Sequence, residues 1–430
     1  MERSDMQHSW EEIPLSELFD FGSGLSKPKA DFGSGFGFLS FKDVFYNYFV
    51  PDQLGQLVNS TEREQKTCSV RRGDVFLTRT SETQEDLGMS CVALKDYDRA
   101  TFNGFTKRLR PKRSDQIVPE YAGYFFRSNK FRQDVTAMSS LSTRASLNNE
   151  MLGRLKMLLP PIETQKAIGR VLKSFDDKIE VNRHMNATLE AIARALFKAW
   201  FVDFEPVHAN RENRPSTSAS PEIAKLFPSD FENGIPKGWR VGKLGDVLEA
   251  KGGTTPSTKN STFWDGENFW ATPKDLSNLR FPVLLKTERK ITDEGVRQIS
   301  SGVLPQGTLL LSSRAPIGYL AISQVPVSIN QGFIAIQGKD VSNLYMLFWL
   351  KENMESVKSR ANGSTFQEIS KSSFREVEIA VPMNSVRERF ETFAIPIFEK
   401  IVTNEIESEN LAEIRNSLLP RLISGRIRTV

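Results

Sequence analysis

Two carboxylates and a lysine in the first part of the chain have the spacing used by metal-dependent phosphodiester hydrolysis. Pro51-Asp52 is followed by Glu64-Gln65-Lys66. Such a centre needs both carboxylates on adjacent core strands, where they can share a Mg²⁺ ion. Because residues 59–67 are too polar to form a core strand, we do not predict a nuclease centre.

Glycine-rich and cysteine-containing segments offer two further kinds of site, but neither has the required context. Gly22-x-Gly24 and Gly33-x-Gly35-x-Gly37 lack the leading strand and following helix of a dinucleotide motif, so we predict loops. The chain has no Gly-x-x-x-x-Gly-Lys-Ser/Thr sequence, so we do not expect ATP hydrolysis. The cysteines and histidines are scattered, which predicts neither a metal site nor a disulfide framework; they are Cys68, Cys91, His8, His184 and His208.

Basic and amide side chains in segments predicted as loops could contact nucleic acid. Arginine pairs with guanine O6 and N7, asparagine and glutamine pair with adenine, and lysine mostly contacts phosphate. We favour positions that recur in both halves of the chain: Lys42 with Lys274, Arg79 with Arg314, Asn103 with Gln331, and Ser142-Thr143-Arg144 with Ser364-Thr365-Phe366, together with Gln367. Weaker candidates are Arg71, Arg72, residues 107–113, Arg289 and Lys290. The alternatives are turn chemistry that a repeated fold demands and, for residues 107–113, the solvated face of a strand.

Length and composition describe a globular protein with more than one domain. A chain of 430 residues exceeds one comfortable hydrophobic core. No stretch approaches the roughly 20 apolar residues of a membrane span. The first ten residues are unlike a secretory leader, so we expect a cytoplasmic protein with no membrane partner. The net charge of +4 permits a polyanionic partner but does not prove one.

One sequence pattern occurs twice in the chain. Two long helical patterns superpose at one constant offset, which places Pro160 on Pro382, Ile179 on Ile401, Asn182 on Asn404, Leu189 on Leu411, Ile192 on Ile414 and Leu196 on Leu418. Upstream, residues 10–18 match 239–247 and residues 72–77 match 306–311, with small shifts that indicate loop insertions. Each half is therefore predicted to be a globular domain followed by a long helix.

Each globular domain combines strand and helix patterns. Short runs rich in Val, Phe and Leu predict strands at residues 74–80, 91–94, 308–312, 319–322 and 333–336. Helical periodicity follows at residues 119–138 and 342–362. We predict a fold of two similar α+β domains.

The two long helices have the pattern of a coiled coil. The first carries Ile168, Phe175, Asn182, Leu189 and Leu196 at heptad spacing, with Val171, Lys178, Met185, Ile192 and Ala199 three residues after each. The second repeats it as Phe390, Ile397, Asn404, Leu411 and Leu418. Sustained over about four heptads, this predicts a two-stranded seam, and each helix would be about 50 Å long. An internal repeat favours a pseudo-twofold arrangement, in which the two helices are antiparallel.

Polar and proline residues interrupt this seam. Asn182 and Asn404 would lie near the dyad and could hydrogen-bond to each other, which fixes the register at a cost in stability. The alternative is that both asparagines face solvent. Because proline disrupts a helix interior, we expect a break or a late start near Pro396 and fraying near Pro420.

The predicted boundaries follow from these patterns. Residues 205–238 contain a polar segment punctuated by proline and are interpreted as a linker. The predicted parts are a first globular domain (1–158), a first long helix (159–204), the linker (205–238), a second globular domain (239–379) and a second long helix (380–430).

Four motifs, in this order and partly duplicated, are similar to those of a known family. They are Leu-Pro-Pro-Ile-Glu-Thr-Gln-Lys-Ala-Ile (159–168), Trp-Phe-Val-Asp-Phe-Glu-Pro-Val (200–207), Gly-Ile-Pro-Lys-Gly-Trp (234–239) and Leu-Leu-Pro-Arg-Leu-Ile-Ser-Gly (418–425). The layout resembles the specificity subunits of type I restriction-modification systems over essentially the entire chain.

The resemblance implies a function and a set of partners. It implies two target-recognition domains that each read one half of a bipartite double-stranded DNA sequence, and helices that set the distance between the half-sites. The helices would also dock two methyltransferase subunits, and the resulting complex would bind motor-nuclease subunits for restriction. The chain itself would be non-catalytic and bind no cofactor, while its partners use S-adenosylmethionine, ATP and Mg²⁺. The chain lacks the Asn-Pro-Pro-Tyr or Asp-Pro-Pro-Tyr run of the methyltransferases.

The sequence leaves two alternative functions open. A self-contained nuclease would cleave DNA as a purified single chain with Mg²⁺, and Asp52→Ala would abolish the cleavage. A protein scaffold with no DNA role would bind its partners in a manner that ignores salt and DNA sequence, because phosphate contacts make affinity fall steeply with salt.

Overall fold

The chain forms two compact units, and each contains parts of both long helices. The computed structural model describes residues 10–81, 83, 86–138, 145–314, 316–363 and 367–427. Unit 1 comprises Met1–Ile179 with Glu409–Val430, and unit 2 comprises Glu180–Ser408.

Unit 1 is built from short strands and helices that precede the first long helix. Its strands are β1 (Glu11–Pro14), β2 (Phe19–Ser23), β3 (Phe32–Leu39), β4 (Gln56–Val58), β5 (Val75–Thr78), β6 (Thr80–Ser81), β7 (Ser90–Val92), β8 (Thr101–Phe102), β9 (Thr106–Pro111), β10 (Ala145–Ser146) and β11 (Lys156–Leu159). Its helices are α1 (Leu15–Leu18), α2 (Phe41–Tyr46), α3 (Glu62–Thr67), α4 (Pro119–Phe125), α5 (Asn129–Met138), α6 (Asn149–Arg154) and the first part of α7 (Ile162–Phe201).

Unit 2 has a similar composition and ends in the second long helix. Its strands are β12 (Phe231–Glu232), β13 (Ile235–Pro236), β14 (Arg240–Lys243), β15 (Leu248–Gly252), β16 (Trp264–Ala271), β17 (Val283–Leu284), β18 (Arg289–Ile291), β19 (Leu309–Ser312), β20 (Leu320–Ser323), β21 (Val327–Ile329), β22 (Phe333–Gly338) and β23 (Glu378–Val381). Its helices are α8 (Glu205–Arg211), α9 (Pro221–Ala224), α10 (Leu244–Val247), α11 (Pro273–Ser277), α12 (Asp293–Arg297), α13 (Asn343–Lys358), α14 (Lys371–Arg375) and most of α15 (Asn384–Ile423).

The two units share one sheet plan, which confirms the predicted pair of α+β domains. Unit 1 has a four-stranded sheet in the order β2-β9-β5-β7 and a three-stranded sheet in the order β4-β3-β8. Unit 2 has the matching sheets β15-β22-β19-β20-β17 and β18-β16-β21. The central strands β5 and β19 are buried throughout. Each follows a glycine with positive φ, Gly73 at 88° and Gly307 at 87°, where a side chain would be strained.

The helix predicted at residues 119–138 is divided in the structure. The chain leaves the helix after Phe125, and α5 begins at Asn129, with Phe131 N donating to Ser128 Oγ at 3.4 Å. The guanidinium of Arg127 in this break donates to the carbonyl oxygens of residues 44, 45 and 47 at 2.8–2.9 Å. These tertiary hydrogen bonds hold a bend that helical periodicity does not reveal. The second predicted helix, α13, has a kink at Asn353, where φ of −110° and ψ of 16° are not helical.

The long helices complete the hydrophobic core of each unit. In unit 1, Ile168 and Leu172 of α7 and Leu419 and Leu422 of α15 join the core of the first domain. In unit 2, the aromatic residues Phe197 and Trp200 of α7 and Phe390 of α15 do the same. Both domains are therefore closed by apolar faces from two helices.

Half of the predicted coiled-coil seam is correct and half is displaced by one residue. Of the heptad positions, Ile168 and Asn182 are buried and Phe175, Leu189 and Leu196 are partly buried, but Val171, Met185 and Ile192 are 37–52% exposed. The second buried set lies four residues after the first, at Leu172, Ile179, Asn186, Ala193 and Trp200. The alternation of four- and three-residue steps keeps both sets on one face, whereas the predicted set lies at its margin. Within unit 2 the helices are antiparallel, since Asn182 contacts Ser408 and Phe197 contacts Phe390.

The expected interruptions at the prolines are wrong. Helix α15 continues through both Pro396 and Pro420. Both prolines are exposed, so their rings lie on the solvent side of the helix. The buried residues Phe390, Ala394 and Ile401 hold the helix on its opposite side.

The segment interpreted as a linker is folded into unit 2. It contains α8 and α9, and its apolar residues Val207, Ile223 and Phe227 are buried in the core of unit 2. Glu205 organises the polar part: its carboxylate accepts hydrogen bonds from Thr217 N at 3.0 Å, Ser218 Oγ at 2.7 Å and Arg214 Nη1 at 2.9 Å. Polarity and proline content indicated a connection and missed this packing. Among the described residues, no helix has the length and apolar character needed to cross a membrane.

Candidate nucleic-acid interface

A line of backbone hydrogen bonds joins several of the predicted contact residues in unit 1. Asn103 N donates to Leu39 O at 3.1 Å, Arg79 N donates to Phe105 O at 3.0 Å, and Leu147 N donates to Arg79 O at 2.9 Å. We call these five residues the turn edge of unit 1. The structure therefore brings Arg79 and Asn103 together, at the ends of strands where loops begin.

The same edge exists in unit 2. Asn330 N donates to Ala271 O at 3.1 Å, Ser313 N donates to Gly332 O at 2.8 Å, and Ile369 N donates to Ser313 O at 3.0 Å. These five residues form the turn edge of unit 2. The three hydrogen-bond lengths agree within 0.2 Å between the two edges, while the side chains differ.

The register of the two edges corrects two of the predicted pairings. Arg79 corresponds to Ser313 rather than to Arg314, and Asn103 corresponds to Asn330 rather than to Gln331. Asn103 Oδ1 accepts a hydrogen bond from Phe105 N at 2.7 Å, just as Asn330 Oδ1 does from Gly332 N at 2.8 Å. The sequence comparison matched identical or similar side chains, but the backbone defines the register. The two asparagines therefore have a turn role that the repeated fold requires.

Two equivalent helix starts support the predicted correspondence of Lys42 with Lys274. Ser40 and Asp43 form a capping box at α2, and Thr272 and Asp275 form one at α11. Lys42 and Lys274 occupy the same position between these capping residues, and both are exposed. Lys274 Nζ lies 2.8 Å from a carboxylate oxygen of Glu288, and this hydrogen-bonded ion pair raises the pKa of the lysine.

The other predicted contact residues of unit 2 lie beside its turn edge. Arg314 is 3.8 Å from the carboxylate of Glu368, Gln331 accepts a hydrogen bond from the Thr255 hydroxyl, and Gln367 is exposed. Thr143, Arg144 and Thr365 lie outside the described residues.

Arg79 and Lys107 form a cation pair behind the turn edge of unit 1. Arg79 is half-buried, and its buried Nε has no hydrogen-bond partner. Lys107 is 8% exposed, and its Nζ donates to Ser23 Oγ at 2.9 Å. Burial lowers the pKa of Lys107, and the positive charge of Arg79 lowers it further. Within the described part of the chain, neither cation has a carboxylate within ion-pair distance.

Most other basic candidates have structural partners. Arg110 makes a bidentate pair with Asp74, with Nε at 2.7 Å and Nη2 at 2.6 Å from the carboxylate oxygens. Arg108 donates to the carbonyl oxygens of residues 67 and 69 at 3.1 and 2.8 Å. The guanidinium of Arg289 lies over the ring of Trp264, 3.5 Å from its centroid. Neither proposed reading of residues 107–113 is right as a whole, because half-buried arginines here join parts of the domain.

The two predicted register residues are buried in the seam of unit 2. Asn182 Nδ2 donates to the main-chain oxygen of Asn404 at 3.3 Å, to Ser408 Oγ at 3.2 Å and to a carboxylate oxygen of Glu407 at 2.9 Å. The expected side-chain bond between the two asparagines is absent. Asn404 instead donates to Asn186 Oδ1 at 2.8 Å.

Asn186 belongs to the same network and was missed from the sequence. Its Nδ2 donates to Glu405 at 2.8 Å and to Ile401 O at 3.4 Å. Asn186 and Ser408 occupy equivalent positions of the repeat, so Asn404 with Asn186 is the symmetry counterpart of Asn182 with Ser408. The correct four-residue step of the heptad would have identified it.

The residues of the rejected nuclease motif have other partners. Asp52 pairs with Lys95 at 3.0 Å, and Glu64 pairs with Lys27 at 3.0 Å and caps α3. Residues 62–67 form that helix rather than a core strand. Across the part of the chain that the structure describes, no cluster of three or more His, Cys, Asp or Glu side chains could hold a metal ion.

Comparisons with known proteins converge on one family. The model of the family described as type I restriction modification DNA specificity domain matches residues 7–191 and again 236–414. The type I restriction enzyme HindI specificity subunit of Haemophilus influenzae is 26% identical over 97% of this chain and 99% of its own length. The MjaIX specificity subunit of Methanocaldococcus jannaschii is 42% identical over 42% of each chain. In fold, the chain is similar to the crystal structure of a type I restriction-modification S subunit from M. genitalium, with a TM-score of 0.58 and 13% identity over 98% of each chain.

Proposed function

The chain belongs to the type I restriction-modification DNA specificity family, and on that premise we propose that it reads a bipartite DNA target, one half-site with each α+β domain. Members of this family are the non-catalytic specificity subunits of their complexes. Our proposal adds that the two half-sites have a fixed spacing and that particular residues contact them.

The main support for this proposal is the turn edge, whose backbone hydrogen bonds are the same in both units while its side chains differ. Arg79 and Phe105 of unit 1 stand where unit 2 has Ser313 and Gly332. A repeated backbone with exchangeable side chains is what two reading modules for different sequences require, since base edges are distinguished by side-chain chemistry. The proposed contact residues remain Lys42, Arg79, Asn103, Thr143, Arg144, Lys274, Arg314, Gln331, Thr365 and Gln367.

The long helices are proposed to set the spacing between half-sites, with Asn182 and Asn404 fixing their register. In this interpretation, the predicted parts 1–158 and 239–379 are the recognition domains, while 159–204 and 380–430 are the helices that separate them. The buried amide network supports the register role because a shift along the seam would leave its donors unpaired.

Docking of two methyltransferase subunits is proposed for the outer faces of these helices. Apolar side chains are exposed at equivalent positions of both: Val171 and Phe393 are 37% and 38% exposed, and Ile192 and Ile414 are 52% and 46% exposed. Equivalent apolar positions fit two copies of one partner. Those partners would use S-adenosylmethionine, and motor-nuclease subunits that use ATP and Mg²⁺ would bind to the resulting complex.

Mapping of modified adenines tests the proposal. The chain is co-expressed with its methyltransferase, and methylated positions are mapped across the host genome. We expect one motif of two specific parts separated by a gap of constant length. A single continuous motif, or methylation without sequence preference, would contradict the proposal.

Docking has a separate test. Ile192→Asp and Ile414→Asp each place a charge on an exposed apolar position, so we expect each to weaken methyltransferase binding by more than about 1 kcal/mol without unfolding the chain. Glu180→Lys, on the same helix, is a control for charge alone. Unchanged binding in both aspartate variants would place the docking surface elsewhere.

A further inference from the structure

Among the described residues, the side chain of Arg79 makes no hydrogen bond or ion pair, and its buried Nε has no partner. Arg108 also has a buried Nε without a partner, but its Nη1 bonds to carbonyl groups, as the guanidinium of Arg127 does, and Arg110 bonds to a carboxylate. Arginine stays charged at any pH in which the protein folds, so a half-buried guanidinium whose Nε has no partner among the described residues costs free energy. A ligand that offers acceptors would recover that cost.

Lys107 raises the positive potential at the same place. Its ammonium group is nearly buried and bonds only to a hydroxyl, that of Ser23, among the described residues. Lys107 pairs with Leu77 across β5 and β9, and Arg79 N bonds to Phe105 O two residues further along, so the two cations lie on neighbouring strands. Two neighbouring cations without an acidic partner among the described residues are a feature of sites that take an electron-rich partner.

Phe105 places an apolar surface next to these cations. Its side chain is 59% exposed, the most of any phenylalanine among the described residues. Its backbone is held on both sides, because its N–H bonds to Asn103 Oδ1 and its carbonyl oxygen accepts from Arg79 N. The ring is therefore carried by a fixed turn beside Arg79.

Resting on the function proposed above, we propose that Arg79 and Phe105 read adjacent base pairs of the first half-site, a guanine and a thymine. Arg79 donates two hydrogen bonds from its terminal nitrogens to guanine O6 and N7, and Phe105 contacts the C5-methyl group of the neighbouring thymine. Lys107 adds positive potential behind the guanidinium of Arg79 and makes no base contact of its own. The corresponding positions of unit 2 are Ser313, Gly332 and Ile334, so the second half-site is read by other contacts.

The test measures discrimination rather than affinity alone. The complex of the chain with its methyltransferase subunits is titrated against the mapped duplex and against duplexes with one base pair changed at each position of both half-sites. For the wild type, replacing the contacted guanine pair weakens binding about 5- to 150-fold. In Arg79→Ala, that penalty disappears at one position of the first half-site and every other penalty stays.

Phe105 has a chemical probe of its own. Deoxyuridine in place of thymine removes one methyl group, which weakens wild-type binding about fourfold when that methyl group is buried. In Phe105→Ala, the two duplexes bind equally. Arg63→Ala changes an exposed arginine of α3 in the same domain and leaves all penalties in place.

The remaining outcomes distinguish base contact by Arg79 from phosphate contact and from failure of the proposed function. If Arg79→Ala weakens all duplexes by one factor, the arginine contacts phosphate and base reading by Arg79 is overturned. Unchanged penalties in a folded variant overturn it as well, and thermal denaturation of Arg79→Ala and Arg79→Gln establishes that the fold is kept. If the wild-type complex itself has no sequence preference in either half-site, the proposed function fails, independently of Arg79.

Discussion

At the scale of single residues, Asp176 ties the first domain to both long helices within unit 1. The hydroxyl of Tyr124 donates to Asp176 Oδ2 at 2.5 Å, and Arg415 of α15 pairs with the same carboxylate. Arg415 also lies over the ring of Tyr48, 4.8 Å from its centroid. Burial raises the pKa of Tyr124, and the negative charge of Asp176 raises it further.

Removing the Tyr124 hydroxyl tests how much its hydrogen bond to Asp176 contributes to the free energy of unfolding. Tyr124→Phe keeps the buried ring and deletes a hydrogen bond to a charged group, so we expect the free energy of unfolding to fall by about 1.5–3 kcal/mol. Urea denaturation measures the change. Tyr46→Phe, at a ring that is 73% exposed, serves as the control. A loss no greater than that of the control would show that Arg415 alone satisfies Asp176.

Individual contact residues could be predicted from the sequence only as far as local chemistry determines them. Lys42 and Lys274 were paired correctly because the capping residues Ser40 and Thr272 mark the same helix start. Arg79 was paired one position away from its true counterpart because no side chain marks a strand register. The lack of a described partner for Arg79 Nε and the exposure of Phe105 depend on tertiary neighbours, which no local pattern contains.

At the scale of elements, the seam between α7 and α15 shows what heptad spacing determines. Apolar residues at Ile168 and Leu189 defined one buried position. The second position was misassigned because Val171, Met185 and Ile192 are apolar too. Their exposure is explained if a partner covers them. Apolar residues of a docking surface and apolar residues of a seam therefore give the same sequence pattern.

The amide network in the seam makes a cooperative prediction. Asn186→Leu leaves the amide of Asn404 without its acceptor at 2.8 Å, and we expect it to lower the free energy of unfolding by about 1–3 kcal/mol. The double variant Asn186→Leu/Asn404→Leu removes both members, so it should be more stable than the single variant. Equilibrium denaturation of both variants and of each single change gives the coupling energy.

Two results would argue against this account of the seam. Additive effects of the two changes would show that Asn186 and Asn404 do not depend on each other. An equal loss in Asn416→Leu, an exposed position on the same helix, would show that any leucine on α15 is harmful.

The segment between α7 and the second domain makes a pH-dependent prediction. Burial alone raises the pKa of Glu205, but hydrogen bonds from Ser216, Thr217 and Arg214 outweigh it and lower the pKa. A carboxyl group with a lowered folded pKa stabilises the protein above its unfolded pKa of about 4.3 and loses that contribution as the pH falls through the folded value.

Glu205→Gln should therefore destabilise unit 2 most at neutral pH. We expect a loss of about 2 kcal/mol at pH 7, and the difference from the wild type should shrink as the pH is lowered below about 4. Denaturation followed by tryptophan fluorescence reports mainly on unit 2, which contains five of the six tryptophans. One of them is Trp200, whose indole N–H bonds to Ser218 O at 3.1 Å. A difference that is constant across this pH range would mean that the charge of Glu205 is unimportant.

At the scale of the whole molecule, each unit draws on segments far apart in the chain. Unit 1 combines Met1–Ile179 with Glu409–Val430, so Leu419, Leu422 and Ile423 lie in the same core as Leu15 and Phe126. The sequence predicted two domains and two helices from the repeat, but it could not assign the end of the second helix to the first domain. That assignment depends on a packing partner hundreds of residues away, which periodicity does not identify.

This shared construction determines how a domain exchange should behave. Replacing residues 1–158 by those of another family member should change one half of the methylated motif and leave the other half and the gap unchanged, because the second turn edge and the seam are untouched. The foreign domain would, however, meet the original Leu419 and Leu422, and imperfect packing there should lower the stability of unit 1 by about 1–3 kcal/mol. A hybrid that also takes residues 409–430 from the donor should recover this loss while reading the same new half-site. Motif mapping and thermal denaturation of the two hybrids separate the effects: if both halves of the motif changed together in either hybrid, recognition would not be divided between two domains.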